Sequence, residues 1–503
     1  MSLLGLDIGT TGCKAIIFSE EGSIIASSYR EYPLLQPQPG WIELDAELVW
    51  LRVESAIQET VAKAGKHDPV RALAPSTQGE AVCPVTCNGK PLANSIVTFD
   101  NRTVPQAKML GEALGADAVY RISGQPLHPM GTVHKIAWWQ QNQAEVYNRA
   151  WKFVCYGDFA LLRLGVSPIM DTSMAARTMA YDLRAGGWSP DVLAVFGIDE
   201  GKLPAVAPSG TAVGTIPPQM CARLGLPQGV VAVTGGHDQP CGALGAGAVR
   251  PGRAMYAIGT VECVTPCLSG FMADLGSRGF PCYPHVTPGK YVTLGFNFGG
   301  GSILRWYRDT FASEEIVLAR QTGRDVYDLL LEGVDLTPGQ LLLLPHFAGT
   351  GTPWLDPLSK GAIVGLTLGT SKSDIVKAIL EGTTYEIAFN VSEMGSAGVG
   401  IEELRAIGGG AKSQKWLQIK ADVLGTPLVK LDVSEAACLG AALLAGHGVG
   451  IFPDIAEVAD AFATPIARFE PDPGRHEHHR RRLGVYRHLY PALRQALHEI
   501  NSL

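Results

Sequence analysis

The chain has 503 residues, 46% of them hydrophobic, with a formal net charge of −7 from 41 basic and 48 acidic side chains. This length excludes a single small module and predicts roughly two to four domains. Apart from the short run at 480–482 there is no basic block, which argues against nucleic acid as a main partner. No apolar run approaches the roughly 18 residues that cross a bilayer, and the N-terminus lacks a secretory pattern, so we expect a cytoplasmic protein without a membrane partner.

The ten cysteines lie mostly among apolar neighbours, which favours reduced, buried thiols. Cys83 with Cys87, and Cys263 with Cys267, share a three-residue gap. Neither pair has the two-residue spacing of a zinc knuckle or a histidine cluster nearby, so packing is the favoured interpretation.

The N-terminal segment predicts an antiparallel meander, since apolar runs at 3–7, 14–18 and 23–26 are separated by the glycine-rich turn Gly9-Thr10-Thr11-Gly12 and a second turn. A helical period follows at 46–64, then a strand near 71–76 and several helices between 104 and 164. Strands mixed with long helices predict an α/β fold.

A second meander-like unit begins near the middle of the chain. Residues 254–258 lead into Gly259-Thr260 and then into an apolar run at 261–265, and the tripeptide Ile-Gly-Thr at Ile8 recurs at Ile258. The matching context predicts an internal duplication, with one glycine turn per domain facing a shared nucleotide. The boundary would lie near 246–253, where glycine and proline provide a hinge.

Asp7 and the turn that follows it form the first candidate site. Glycines let the backbone approach a polyphosphate, the hydroxyls of Thr10 and Thr11 can donate to it, and Asp7 could hold magnesium through water. An ordinary hairpin turn that needs glycine is the alternative.

The second candidate is Asp238, within Gly235-Gly236-His237-Asp238-Gln239, after the apolar strand at 230–233. A carboxylate at the end of a strand can reach a cleft and accept a proton, or it can merely cap the following helix. His237 is interpreted as a positioning or packing residue.

The third candidate is Ile407-Gly408-Gly409-Gly410-Ala411-Lys412-Ser413, before an amphipathic helix at 414–423. Three glycines before a helix start allow close approach of a flat or anionic group, although a flexible loop would look the same. The chain has no P-loop, no Gly-x-Gly-x-x-Gly after a strand and no Gly-x-Ser-x-Gly elbow, which disfavours P-loop enzymes, simple dehydrogenases and α/β-hydrolases.

These blocks, in this order, resemble the FGGY carbohydrate kinases. The segment at 6–12 resembles the family's first phosphate motif, and 130–142, with Lys135 and Trp138, resembles its first signature except for Trp139. The segments at 361–366, 374–375 and 378–381 resemble the second signature. The resemblance implies two actin-like (ribonuclease H-like) domains with an active-site cleft between them, 1–247 mainly for sugar and 248–503 mainly for ATP.

By motif position, the resemblance implies that Asp238 is the catalytic base and that Asp7 holds Mg²⁺ through water. The implied ATP-binding residues are Gly9, Thr10, Thr11, Lys14, Gly259, Thr260, Gly301, Arg305, Gly409, Gly410, Ala411, Ser413 and Gln414. The implied substrate-binding residues are Gln78, Gly79, Glu80, Asp100, Arg102, Asp238 and Gln239.

The sugar block does not identify one substrate. Glu80 matches glycerol kinases, where xylulose kinases usually have histidine, whereas Asp100 and Arg102 look more like xylulose kinases and the Gly-His-Asp run at 236–238 resembles fuculose and rhamnulose kinases. A ketose is the expected substrate, with glycerol, erythritol, gluconate or a deoxy-hexulose as alternatives. A structural Glu80–Arg102 ion pair, a non-catalytic sugar sensor, an actin-like ATPase and a homodimer also stay open.

Overall fold

Two mixed β-sheets organise the chain, one from each half, in a computed structural model that describes residues 1–65 and 68–500. The first-half strands are β1 Ser2–Ile8, β2 Gly12–Ser19, β3 Ile24–Glu31, β4 Glu43–Leu44, β5 Val70–Thr77, β6 Val82–Val85, β7 Ser95–Ile96, β8 Lys152–Cys155, β9 Ile169–Asp171, β10 Tyr181–Asp182, β11 Gly187–Trp188, β12 Ala205–Ala207, β13 Ala212–Thr215, β14 Val231–Val233 and β15 Gly236–His237. The first-half helices are α1 Ala46–Ala64, α2 Val104–Leu114, α3 Ala116–Ser123, α4 Thr132–Asn142, α5 Ala144–Arg149, α6 Tyr156–Arg163, α7 Thr172–Arg177, α8 Pro190–Phe196, α9 Pro218–Leu224 and α10 Asp238–Gly245.

The second half begins with a new hairpin. Its strands are β16 Gly252–Ile258, β17 Glu262–Leu268, β18 Tyr283–Pro284, β19 Tyr291–Val292, β20 Gly295–Asn297, β21 Leu342–Leu344, β22 Ala362–Val364, β23 Ile401–Ile407, β24 Leu428–Leu431 and β25 Pro465–Phe469. Its helices are α11 Gly301–Phe311, α12 Ser313–Thr322, α13 Val326–Leu331, α14 Lys372–Ser396, α15 Gln414–Leu424, α16 Ala436–Gly448, α17 Ile455–Phe462 and α18 Pro473–Ile500.

The two large sheets repeat one topology. In the first, the antiparallel pair β1–β2 is followed outward from β1 by parallel β5 and β14 and then by antiparallel β13. In the second, the antiparallel pair β16–β17 is followed by parallel β23 and β24 and then by antiparallel β25. The predicted α/β class and the internal duplication are confirmed, and each glycine turn joins the first two strands of its sheet.

Helix α1 has the bounds that the sequence period predicts. Its N-cap Asp45 accepts hydrogen bonds from the backbone N–H groups of Glu47 and Leu48 at 3.0 and 3.1 Å, which satisfies donors that have no partner within the helix. Trp50 and Ile57 are buried on the face that packs against the first sheet.

Helices α10 and α16 cross between the two sheets at very short range. A Cβ on Gly245 would lie 1.9 Å from the carbonyl oxygen of Ala436, and one on Gly440 would lie 1.9 Å from that of Cys241. Only glycine fits such a backbone contact. Each helix packs against the sheet of the other half, since α16 covers β1 and β5 while Ala243 of α10 and Ala246, directly after it, join a cluster with Met255 of β16. The halves are therefore joined through their central helices.

Among residues 1–65 and 68–500, none of the helices combines the length and apolar character that a bilayer crossing needs. All ten cysteines are free, and nine are buried as expected, whereas Cys87 is exposed. The cysteine interpretation is therefore correct except at Cys87, which lies in the turn that follows β6.

Candidate active site

The first glycine turn is held in place from beneath. Gly9 N–H donates to the Gly12 carbonyl at 2.9 Å, the Tyr32 hydroxyl donates to the Gly9 carbonyl at 2.6 Å, and Gln78 Nε2 donates to the same carbonyl at 3.0 Å. Thr10 donates to Gln78 Oε1 at 3.2 Å. Gln78, predicted to bind substrate, is only 3% exposed and supports the turn in this structure.

Asp7 lies at the base of that turn, where Ser76 Oγ donates to its Oδ1 at 3.1 Å. Burial raises the pKa of Asp7 to about 6, opposed by the Ser76 hydrogen bond and by the Lys14 ammonium. Lys14 Nζ is 2.6 Å from Oε2 of Glu435, the residue that precedes α16. This ion pair links the first turn to the second half of the chain.

Asp238 is the first residue of α10, directly after β15. His237 Nε2 lies 3.0 Å from Asp238 Oδ1, and His237 Nδ1 lies 2.9 Å from the Tyr283 hydroxyl. Burial, with a contribution from the Arg177 charge, lowers the pKa of His237 well below its usual value. A neutral ring that donates from Nε2 to Asp238 leaves Nδ1 to accept from Tyr283, and the carboxylate is thereby oriented.

Asp238 lies close enough to the predicted carboxylates Asp7 and Glu80 for their charges to act on it. Its side chain is 32% exposed in the cleft, yet burial raises its pKa to about 7, with further contributions from Asp7 and Glu80. Cys263 is the second residue of β17. Burial raises the pKa of its thiol, and the charge of Asp238 raises it further. Helix α10, which begins at Asp238, contacts both β5 of the first sheet and β17, the strand that follows the second turn.

Glu80 is held in an unusual conformation. Its φ is +56°, in the left-handed region that non-glycine residues seldom adopt, and its carbonyl accepts from Lys135 Nζ at 2.9 Å and Thr132 Oγ1 at 3.1 Å. Its carboxylate forms an ion pair with Arg177 of α7. Glu80 thus pairs with Arg177, whereas the alternative of a Glu80–Arg102 pair is wrong.

Asp100 and Arg102 pair with each other. Arg102 donates through Nε and Nη2 to the two Asp100 oxygens at 2.8 and 2.7 Å, and its guanidinium stacks 3.9 Å from the Trp41 ring. Asp100 Oδ2 also accepts from the Ile42 N–H at 2.6 Å. Both side chains already form hydrogen bonds within the protein. The predicted direct contact with substrate therefore requires that Asp100 and Arg102 rearrange, and otherwise their effect on substrate is indirect.

Several polar side-chain atoms in the described part of the first half are buried without a partner. Among the residues that the structure describes, Arg177 Nε, Gln125 Nε2 and Gln239 Oε1 are buried without a hydrogen-bond partner. Gly79 lies under this region, where an added Cβ would be 2.9 Å from His237 Nε2. Such atoms are expected to find a partner from a ligand or water.

The second half contains a cavity of about 630 Å³ whose walls include glycines of three segments, at 259, 301 and 409–410. Of the predicted ATP-binding residues, these line it: Gly259, Thr260, Gly301, Arg305, Gly409, Gly410 and Ser413. Ala411 is buried behind this wall and Gln414 is exposed; neither lines the cavity. Gly9, Thr10 and Thr11 belong to the first turn, and Lys14 lies on β2, which follows it.

The glycine segments around the cavity pack closely against neighbouring backbone and side chains. A Cβ on Gly301 would lie 3.0 Å from the Gly259 carbonyl, and one on Gly410 would lie 2.3 Å from Ile258 Cγ2. Gly408 has φ +88°, which favours glycine. These features fit a nucleotide whose phosphates contact main-chain N–H groups.

Asp7 and Asp238 suit a metal ion that binds together with the phosphates of a substrate. Within 1–65 and 68–500 there is no group of three or more His, Cys, Asp or Glu side chains that could hold a metal ion. Asp7 and Asp238 instead provide two carboxylates at one cleft, which suits Mg²⁺, because that ion is commonly bound by one or two carboxylates, water and substrate phosphates.

Sequence reasoning missed several residues of the site. Trp416, Asp325 and Tyr327 line the nucleotide-sized cavity. Arg177 pairs with Glu80, and Tyr283 contacts His237, the residue before Asp238. Trp416 is the third residue of α15, close behind the predicted glycine segment, and this place in the sequence could have identified it. Arg177 and Tyr283 carry no local motif, and only the tertiary fold brings them to Asp238.

Comparisons with known proteins agree with this geometry. The FGGY family of carbohydrate kinases matches with its N-terminal domain model over residues 2–245 and with its C-terminal domain model over 265–449. A gluconokinase of Bacillus subtilis is 30% identical over 92% of this chain and 90% of its own length. A xylulose kinase of Staphylococcus epidermidis is 28% identical over 98% and 97%, and a glycerol kinase of Methylibium petroleiphilum is 32% identical over 91% and 92%.

Solved structures give the same result for the fold. A ligand-bound xylulose kinase from Lactobacillus acidophilus superposes with a TM-score of 0.89 at 24% identity over 99% of both chains. A xyloylose kinase from Brucella ovis superposes with a TM-score of 0.86 at 26% identity over 99% of this chain and 100% of that one. The predicted pair of actin-like, ribonuclease H-like domains is confirmed. On the family models and the relatives together, the chain belongs to the FGGY family of carbohydrate kinases.

Proposed function

We propose that this protein transfers the γ-phosphate of MgATP to a primary hydroxyl of a ketose, with Asp238 as the base. The observation that carries the proposal is the position of Asp238, which is oriented by His237 and lies within the electrostatic reach of Asp7 and Glu80. The relatives are named as xylulose kinases, gluconokinases and glycerol kinases. We infer a cytoplasmic enzyme with domains 1–247 and 248–503.

In the proposed mechanism, Asp238 orients the acceptor hydroxyl and receives its proton. The main-chain N–H groups of the turns at Gly9 and Gly259 and the Lys14 ammonium hold the phosphates in line. Asp7 would hold Mg²⁺ near the phosphates, where the ion would neutralise their charge. Because most of the catalysis in phosphoryl transfer comes from alignment and charge neutralisation, an ordinary carboxylate is a sufficient base.

The remaining predicted residues complete two binding regions in this proposal. Arg305 and the glycine segments at 301 and 409–411 hold the nucleotide, with Ser413 and Gln414 towards the base. Glu80, Gly79 and Gln239, with Arg177, surround the sugar. A neutral sugar suits this region because every buried hydroxyl needs a polar partner. The carboxylates of Asp7, Glu80 and Asp238 outnumber the cations of Arg177 and Lys135, which disfavours an acidic substrate.

A coupled assay of ADP release with a panel of ketoses, glycerol, erythritol and gluconate tests the proposed substrate class. We expect a ketose to have a kcat/KM at least about 10-fold above the other acceptors, because a missing hydroxyl leaves buried polar groups unpaired. Preference for gluconate or glycerol would overturn the ketose assignment. ADP release without any acceptor would indicate an actin-like ATPase, and sugar binding without turnover would indicate a sensor.

The activity should depend on the ionisation of Asp238. Since the pKa of this carboxyl is raised to about 7 and a base must be ionised, we expect kcat/KM for the sugar to fall about 10-fold per pH unit below pH 7. The same series with Asp238→Asn supplies the control, in which the residual activity should lose this slope. A flat wild-type profile between pH 5 and about 8 would contradict the assignment.

A further inference from the structure

A fully buried ion pair lies beneath the candidate nucleotide cavity. Lys420 of α15 donates to the two carboxylate oxygens of Glu262 at 2.8 and 2.9 Å, and both side chains are 0% exposed. The Tyr256 hydroxyl accepts from Lys420 at 2.7 Å and donates to Glu262 at 2.6 Å. Removing two charges from water is costly, and apolar residues of similar size often serve stability as well or better. The pair therefore requires an explanation other than core packing.

Glu262 supports one wall of the cavity. It follows Thr260 by two residues, and a Cβ on Gly300 would lie 2.9 Å from its Cγ. The N–H groups of Gly300 and Gly301 donate to the carbonyls of Thr260 and Gly259 at 3.1 and 2.8 Å. The second glycine turn and the start of α11 are thus one connected unit, and Glu262 lies directly under it.

Lys420 supports the opposite wall. Its ammonium lies 4.5 Å from the centre of the Trp416 ring, one helical turn earlier on α15, and Trp416 lines the cavity. Ser413 caps the same helix by accepting from the Trp416 N–H at 3.3 Å. The position of Lys420 therefore determines where the wall formed by α15 stands relative to the second turn.

We propose that Lys420, Glu262 and Tyr256 are a positioning cluster that holds the turn at 259–260 and helix α15 at the separation needed by the phosphate and base ends of ATP. This inference rests on the proposed nucleotide role of the cavity. None of the three residues lines the cavity, so they act through the turn and through Trp416. The cluster sets nucleotide affinity and alignment, and the sugar half of the site does not depend on it.

The double variant Glu262→Met with Lys420→Met tests this role, because it removes both charges and keeps side chains of similar length. We expect the KM for ATP to rise at least about 10-fold while the KM for sugar stays within about twofold and Tm does not fall. Tyr256→Phe, which keeps the ring and removes only the hydroxyl, should raise the KM for ATP about threefold. ADP affinity measured by calorimetry should weaken in parallel.

Glu386→Met is the matched control. Glu386 is another buried carboxylate of the second half, 2% exposed, but it bonds to Tyr486 and His346 beside α18. Its loss should lower Tm and leave the KM for ATP unchanged. Wild-type ATP kinetics in both test variants would overturn the proposal, and Tyr256→Phe decides the question if the double variant does not fold. A wild-type protein without sugar-dependent ADP release would instead refute the proposed function.

Discussion

Replacing Asp238 with asparagine will lower the turnover of sugar phosphorylation by about 10²–10⁴-fold, the range expected for loss of a general base. Asparagine keeps the size of the side chain and can still contact His237, which lies 3.0 Å from Asp238, but it cannot accept the proton. ADP affinity, measured by calorimetry, should stay within about twofold because Asp238 does not line the nucleotide cavity.

The stability of the same variant gives an independent check with a definite sign. The raised pKa of Asp238 means that the native state prefers the neutral carboxyl. Its stabilising contribution is fully present below about pH 4, the ordinary value for aspartate, and is lost as pH rises through about 7. We therefore expect Asp238→Asn to have a higher Tm than the wild type at pH 8, and this gain should shrink as pH falls.

Asp158→Asn is the control for Asp238→Asn. Asp158 is also a buried carboxyl of the first half, 1% exposed, but it accepts from the Cys155 N–H at the start of α6 and does not face the cleft. Its variant should keep near-normal turnover. If Asp238→Asn is folded, binds ADP and retains near-normal phosphorylation, Asp238 is not the base.

The order of elements was largely predictable because local periodicity determined it. The apolar period defined α1, and the glycine turns with flanking apolar runs defined both hairpins. The repeated Ile-Gly-Thr has a structural cause, since both copies end the first strand of a sheet with the same topology. A pattern that recurs with its context is therefore informative about the fold even when three residues alone are not.

The contacts between distant segments were not predictable. The close approach of α10 and α16 depends on Gly245 and Gly440. The residues next to either glycine in the sequence do not indicate which helix it contacts. The same holds for Glu80, whose partner Arg177 lies 97 positions later on a six-residue helix without a motif. Contacts between residues that are distant in sequence produce no local sequence pattern from which they could be predicted.

That ion pair leads to the second large prediction, in which Arg177→Met will destabilise the protein by about 3–5 kcal/mol. The change leaves the Glu80 carboxylate, 2% exposed, buried without its cation. Arg177 also donates to Gln125 Oε1 at 2.7 Å and lies over the Tyr283 ring. We expect sugar kcat/KM to fall about 100-fold, with denaturant unfolding and the coupled ADP assay as the measurements.

Adding Glu80→Gln to Arg177→Met separates stability from sugar binding. A neutral glutamine removes the unpaired charge, so most of the lost free energy of unfolding should return, whereas sugar kcat/KM should stay low because the guanidinium is still absent. Arg405→Met is the matched control, since Arg405 is a buried arginine, 4% exposed in its side chain, that pairs with Glu403 and Asp460 far from the sugar region. It should lose stability without a change in sugar KM. Recovery of sugar kinetics together with stability in the double variant would show that Arg177 serves the fold alone.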